Sequence, residues 1–164
     1  MKKQQMASLV LAGAMGALCM SAIADADKPT PVENGAYRTQ LFNLLSQEKN
    51  IVDGKSHYQR GFAKQFDGLL ASSKLAKADK TGISLKKRLL SGPAEEAALE
   101  RDPATGTQWL VYDACQAHRC DEISLRLLYD PAARRMVGKL NLDKQSEFLG
   151  APSAGEQRLL EQAR

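Results

Sequence analysis

The stretch Gln108-Trp109-Leu110-Val111-Tyr112-Asp113-Ala114-Cys115-Gln116-Ala117-His118-Arg119-Cys120-Asp121-Glu122-Ile123-Ser124-Leu125-Arg126-Leu127-Leu128-Tyr129 decides the fold. Trp109 to Tyr112 are apolar at four consecutive positions, so the segment from Gln108 to Ala114 is apolar on both faces and suits a central strand. Ile123, Leu125, Leu127 and Tyr129 alternate with Ser124, Arg126 and Leu128, the period of a half-buried strand. Asp130-Pro131 turns the chain, and Met136 to Leu142 predicts a third strand. The connection between the first two strands carries two cysteines and a histidine within six residues. Fully extended, that span would set the two cysteine Cα atoms about 17 Å apart, whereas a disulfide needs roughly 4.4–6.8 Å. If the bond forms, the backbone folds back on itself and becomes the rigid tip of a β-hairpin, with an imidazole near its end.

Upstream of the strands the period changes. Tyr37, Leu41, Leu44 and Leu45 recur at helical spacing, and Phe62, Phe66, Leu69 and Leu70 repeat it. Ser56 with Gln59 offers a capping box for the second of these helices. Leu85, Leu89 and Leu90 predict a third, short helix ended by Gly92-Pro93, and the lysine-rich run from Lys74 to Lys87 reads as a solvated face. Asp102-Pro103 and Thr105-Gly106 are turn signals ahead of the first strand. Downstream, Ser153-Ala154-Gly155-Glu156 after Pro152 is a capping box that opens a terminal helix carrying Leu159 and Leu160. Helices, an antiparallel meander and a helix together make an α+β domain, with a hairpin loop protruding from the sheet.

The start of the chain sets the compartment. Lys2 and Lys3 precede an uncharged run from Met6 to Met20 and then Ala22-Ile23-Ala24, the three regions of a secretory signal peptide, so residues 1–24 are expected to be removed and 25–164 to form one domain. The apolar run is short for a membrane span. Cys19 lies within it, but Gly16-Ala17-Leu18 places its leucine at the wrong end of a lipoprotein box. Asp25 to Pro31 is a polar lead with two prolines. Two of the 23 basic residues fall in the signal segment, which leaves 21 against 19 acidic ones. A net charge of about +2 points neither to nucleic acid nor to an acidic membrane surface. Export makes a disulfide the default for Cys115 and Cys120 and a free thiol pair the exception.

The chemistry of the loop leaves several readings open. Closing six residues stabilises a fold by roughly 2 kcal/mol in the chain-entropy model, so the bridge can be a staple and nothing more. A protruding tip, however, gains rigidity from it, and rigidity lowers the cost of binding. Cys115, His118 and Cys120 are also ligands that suit zinc or copper, although the spacing departs from the usual zinc patterns and His57 is distant in sequence. A Cys-x₄-Cys pair is not a thioredoxin-like redox motif. No Gly-x-Ser-x-Gly elbow, phosphate-cradling glycine loop or His-Glu-x-x-His is present, so nothing marks the chain as an enzyme.

A strand ending in Cys-x-x-His-x-Cys, a second strand, and then Met136-Val137-Gly138 in a third resembles the inhibitor of vertebrate lysozyme (Ivy) family. Phe148-Leu149-Gly150-Ala151-Pro152-Ser153 before the last helix and Ser91-Gly92-Pro93-Ala94 ahead of the first strand are similar too. The likeness covers roughly residues 90–160. It implies a periplasmic α+β protein, often dimeric, that inhibits c-type lysozymes by inserting a disulfide-closed loop into the enzyme's cleft, where the loop histidine meets the catalytic acids. Carried over, that histidine is His118, on a loop of Gln116, Ala117, His118 and Arg119 bounded by Cys115 and Cys120. Some members of the family are linked to control of the cell's own lytic transglycosylases, which makes an endogenous murein-cleaving enzyme the alternative target. The family's usual loop reads Cys-Lys-Pro-His-Asp-Cys. Here Gln116, Ala117 and Arg119 replace the lysine, the proline and the acid. Ala117 gives up a fixed φ, which predicts a looser finger, and Arg119 reverses a charge beside the histidine.

Overall fold

The computed structural model describes residues 35–162, so the signal-peptide reading and the polar lead lie outside the described residues. Five antiparallel strands run in sequence order: β1 (Ala98–Arg101), β2 (Gln108–Cys115), β3 (Ile123–Asp130), β4 (Arg135–Leu142) and β5 (Gln145–Leu149). The three predicted strands are the three inner ones. The two edge strands carried no clear pattern. β1 is four residues long with Leu99 facing solvent, and β5 is polar except at Phe148 and Leu149. Asp143-Lys144 links β4 to β5, and Asp143 takes the left-handed conformation that so short a hairpin connection demands (φ +55°).

Helices cover both faces of the sheet. On one face lie α1 (Leu41–Leu45), α2 (Arg60–Ser72), α3 (Lys74–Ala78) and α4 (Leu85–Leu89). Phe62, Phe66, Leu69 and Leu70 of α2 are all buried and meet Leu110, Tyr112, Leu125, Leu127 and Tyr129 of the sheet in the main core. Each such side chain contributes roughly 1.5–3 kcal/mol on burial. On the other face α5 (Ala154–Glu161) lays Leu159 and Leu160 on Trp109, Val111, Leu128 and Val137. This second layer is why β2 reads as apolar on both faces.

Two helix boundaries depart from the expected ones. The first helix is shorter: Gln40 is extended (φ −63°, ψ 143°) and bridges Glu96, so regular helix begins only at Leu41. Tyr37 reaches the same core from outside the helix. Its ring lies 5.1 Å from that of Tyr129, and its carbonyl accepts a 2.7 Å hydrogen bond from the Tyr112 hydroxyl. The Ser56–Gln59 capping box does not form. Gln59 is itself the N-cap residue, without a side-chain cap, and its N–H donates to the Leu44 carbonyl at 3.1 Å. The lysine-rich run contains α3 and the start of α4, and Glu147 of β5 caps α3 from across the fold. The Glu147 carboxylate accepts from the Ser73 hydroxyl (2.7 Å) and from the amides of Lys74 (3.0 Å) and Leu75 (3.1 Å). The capping box at Ser153 and Glu156 is formed as the sequence predicts.

Candidate functional site

Cys115 is the last residue of β2 and pairs with Ser124, the second residue of β3. Cys120 lies on the returning limb of the connection. The two are joined by a disulfide across a Cα separation of 4.8 Å, inside the range the bond requires. Both sulfurs are therefore engaged, and the thiolates that a Cys115–His118–Cys120 metal site would need are not there to bind. That reading falls. Among the described residues no cluster of three or more His, Cys, Asp or Glu side chains is arranged to hold a metal.

Backbone hydrogen bonds wind the loop into two successive turns. The Gln116 amide donates to the Ile123 carbonyl (3.0 Å), the Arg119 amide to the Gln116 carbonyl (3.0 Å), and the amides of Glu122 (3.1 Å) and Ile123 (2.8 Å) both donate to the Arg119 carbonyl. His118 sits at the crest, exposed, with φ +62°. A non-glycine residue in that region carries a cost of roughly 1–2 kcal/mol that its surroundings must offset. The exposed imidazole makes no hydrogen bond to any described residue, which leaves both of its nitrogens open to a partner.

The remaining loop residues are tied to other parts of the protein by hydrogen bonds. Gln116 accepts a 2.8 Å hydrogen bond on its side-chain oxygen from Nε of Arg88, a buried guanidinium that also donates to Thr81 (2.9 Å) and pairs with Asp79. The Ala117 amide donates to the Ser91 hydroxyl at 3.1 Å, and that hydroxyl donates onward to the Arg88 carbonyl at 2.7 Å. A proline could not make the first of these bonds. The fixed φ given up at residue 117 is thus replaced by a hydrogen bond, and the expected loosening of the finger is offset.

Arg119 is paired twice, with Glu122 through Nε (2.6 Å) and with Asp143 through Nη2 (2.9 Å). The hydrogen bond to Glu122, with lesser help from Asp143, holds its pKa above the ordinary arginine value. The reversed charge beside His118 is thereby met within the molecule. Gly92 completes the base of the finger: its amide donates to the Cys115 carbonyl at 2.9 Å.

Two concavities flank the finger. A groove of about 630 Å³ crosses the part of the sheet that α5 leaves open, past Cys120, Ser124, Arg126, Lys139 and Asn141 to Leu160. A second, small recess near Gly92, at the base of the finger, is lined by Phe42, Leu90, Pro93 and Asp113. Of the residues expected at the site, Cys115, Gln116, Ala117, His118, Arg119 and Cys120 all lie on the one finger. The supporting residues Arg88, Ser91 and Asp143 carry no local signal, since each reaches the finger from elsewhere in the chain; of the three, only Ser91 belongs to a stretch similar to the inhibitor family, Ser91-Gly92-Pro93-Ala94. No family model, no curated protein and no solved structure matches the chain.

Proposed function

We propose that the chain is an exported inhibitor of a murein-cleaving glycosidase, with a c-type lysozyme as its target and His118 as the residue that enters the catalytic cleft. The observation that supports this most is the exposed imidazole on a left-handed residue at the crest of a disulfide-closed loop. The sequence resemblance to the inhibitor family points the same way.

The chemistry suits the target class. A retaining or inverting glycosidase holds one carboxylic acid protonated and one ionised across its cleft. A neutral imidazole has one N–H donor and one acceptor nitrogen, so it accepts from the acid and donates to the carboxylate at once. When protonated it gains charge-assisted bonds to the pair. The loop contains no glycosidic bond, so it fills the cleft without being cleaved. Its bracing lowers the ordering cost of binding.

The test is clearing of a cell-wall suspension by a c-type lysozyme, with and without the purified, disulfide-intact protein. Wild type slows the clearing and His118→Ala does not. A wild type without effect on c-type lysozymes overturns the reading, and inhibition confined to a lytic transglycosylase reassigns the target to an enzyme of the same cell.

A further inference from the structure

Two neighbouring hairpin tips each carry a residue in the left-handed region, His118 on the β2–β3 connection and Asp143 between β4 and β5 (φ +62° and +55°). One guanidinium joins them. Arg119 follows His118 directly, and its side chain leaves the finger to end on Asp143 Oδ1 at 2.9 Å, 24 residues further along the chain. The partner contact to Glu122 is local, three residues away, and stays within the finger. Asp143 lies outside the finger and takes hold of its tip beyond His118. Gln116 and Ala117, by contrast, are anchored on the side before it.

We propose that Arg119 and Asp143 form a latch that holds the finger tip in its left-handed conformation, which makes Asp143 a positioning residue for the His118 imidazole. The proposal rests on His118 as the contact residue and deepens that reading. A latch acts by keeping the binding-competent conformer populated. When it opens, apparent affinity falls by the fraction of molecules that lose that conformer, and the loss appears in the association rate. A side chain that touches the target instead shows its loss in dissociation.

The experiment compares the disulfide-intact protein with Arg119→Ala, Asp143→Gly and the double variant. Glycine at 143 removes the carboxylate and still accepts positive φ. Association with the inhibited enzyme, its dissociation, and amide hydrogen exchange at Glu122 and Ile123 are measured; both amides bond to the Arg119 carbonyl. Each single variant is expected to associate about two- to fivefold more slowly, as suits an exposed ion pair. The double variant is expected to be no slower than either, with dissociation unchanged and exchange at the two amides accelerated in all three. Faster dissociation in Arg119→Ala with wild-type behaviour in Asp143→Gly overturns the latch and makes Arg119 a contact residue. Wild-type exchange in both single variants overturns it as well. If the wild type inhibits no murein-cleaving enzyme, the proposed function fails, and the exchange measurement alone decides the latch.

Discussion

Gly92 lies so close to Cys115 that a Cβ built on it would stand 2.4 Å from the Cys115 carbonyl oxygen and 2.8 Å from Sγ. Both neighbours are fixed, one as backbone at the end of β2 and the other in a disulfide, so neither can move aside without shifting the finger. The backbone conformation of Gly92 is ordinary; the constraint is space alone. Gly92→Ala is therefore expected to destabilise the fold by about 1–3 kcal/mol, as overpacking does, and to displace the finger from its bracing on Ser91. Urea denaturation measures the first effect, and a drop in the proposed inhibition larger than the loss of folded protein measures the second. An alanine variant with the wild-type midpoint and full activity would refute this account of the site.

His118 is exposed and makes no hydrogen bond to any described residue, so its replacement is expected to leave stability nearly untouched. His118→Asn tolerates the left-handed backbone and should hold the denaturation midpoint within about 0.5 kcal/mol of wild type. If His118 is the residue that enters a lysozyme cleft, as proposed, inhibition should nonetheless be lost, because an amide cannot become a cation and does not extend as far as an imidazole. A fall in stability would place the ring against the protein's own surface.

The inner strands were legible because Trp109, Val111 and Leu128 are buried under α5 while Leu110, Tyr112 and Leu127 are buried under α2, so two apolar layers wrote themselves into one segment. The edge strands were not, because β1 is four residues long with Leu99 at the surface and β5 fully buries only its last residue, Leu149, too little to impose a period. The finger residues were visible as a cluster of rare residue types. Its supports were not, because Arg88, Ser91 and Asp143 reach the finger only across the folded chain. Gln116 looked like a contact residue by position, and in the structure its side chain is turned to Arg88.

Reduction of the Cys115–Cys120 bridge is expected to cost roughly 2 kcal/mol, the chain-entropy value for so short a loop. The hairpin should survive it. Cys115 still pairs with Ser124, and the Gln116 amide still donates to the Ile123 carbonyl. The far-ultraviolet circular dichroism should therefore stay unchanged after reduction while the proposed inhibition weakens. Global unfolding on reduction would give the bridge a larger structural part than the sheet allows it.

Arg88 pairs with Asp79 with both side chains under one-tenth exposed, and it also holds Thr81 and Gln116. Arg88→Ala strands the Asp79 carboxylate in a buried site and is expected to cost about 3–5 kcal/mol. Gln116→Ala removes only one hydrogen bond, for roughly 1 kcal/mol. The ratio of the two, read from denaturation midpoints, tests whether the buried pair or the finger contact carries the stability. Equal losses would contradict it.

Glu156 joins the capping box of α5 to the strand β4. Its carboxylate accepts from Arg135 at 2.5 and 2.8 Å and from the Ser153 amide at 2.6 Å. The Arg135 guanidinium, opposed by burial and aided by the Ser153 amide, holds the Glu156 pKa below the ordinary glutamate range. Because the folded value lies below the unfolded one, the ionised carboxylate contributes fully at neutral pH, and this contribution drains away as the pH falls through the lowered folded value. Wild type should therefore lose stability faster than Glu156→Gln between about pH 5 and pH 3. Glutamine keeps the bond from the Ser153 amide through its one carbonyl oxygen and removes the titrating charge together with the acceptor that faces Arg135 Nε. Thermal midpoints of the two proteins across that interval should converge as the pH falls. Parallel curves would show that the ionisation of Glu156 contributes no stability across that interval.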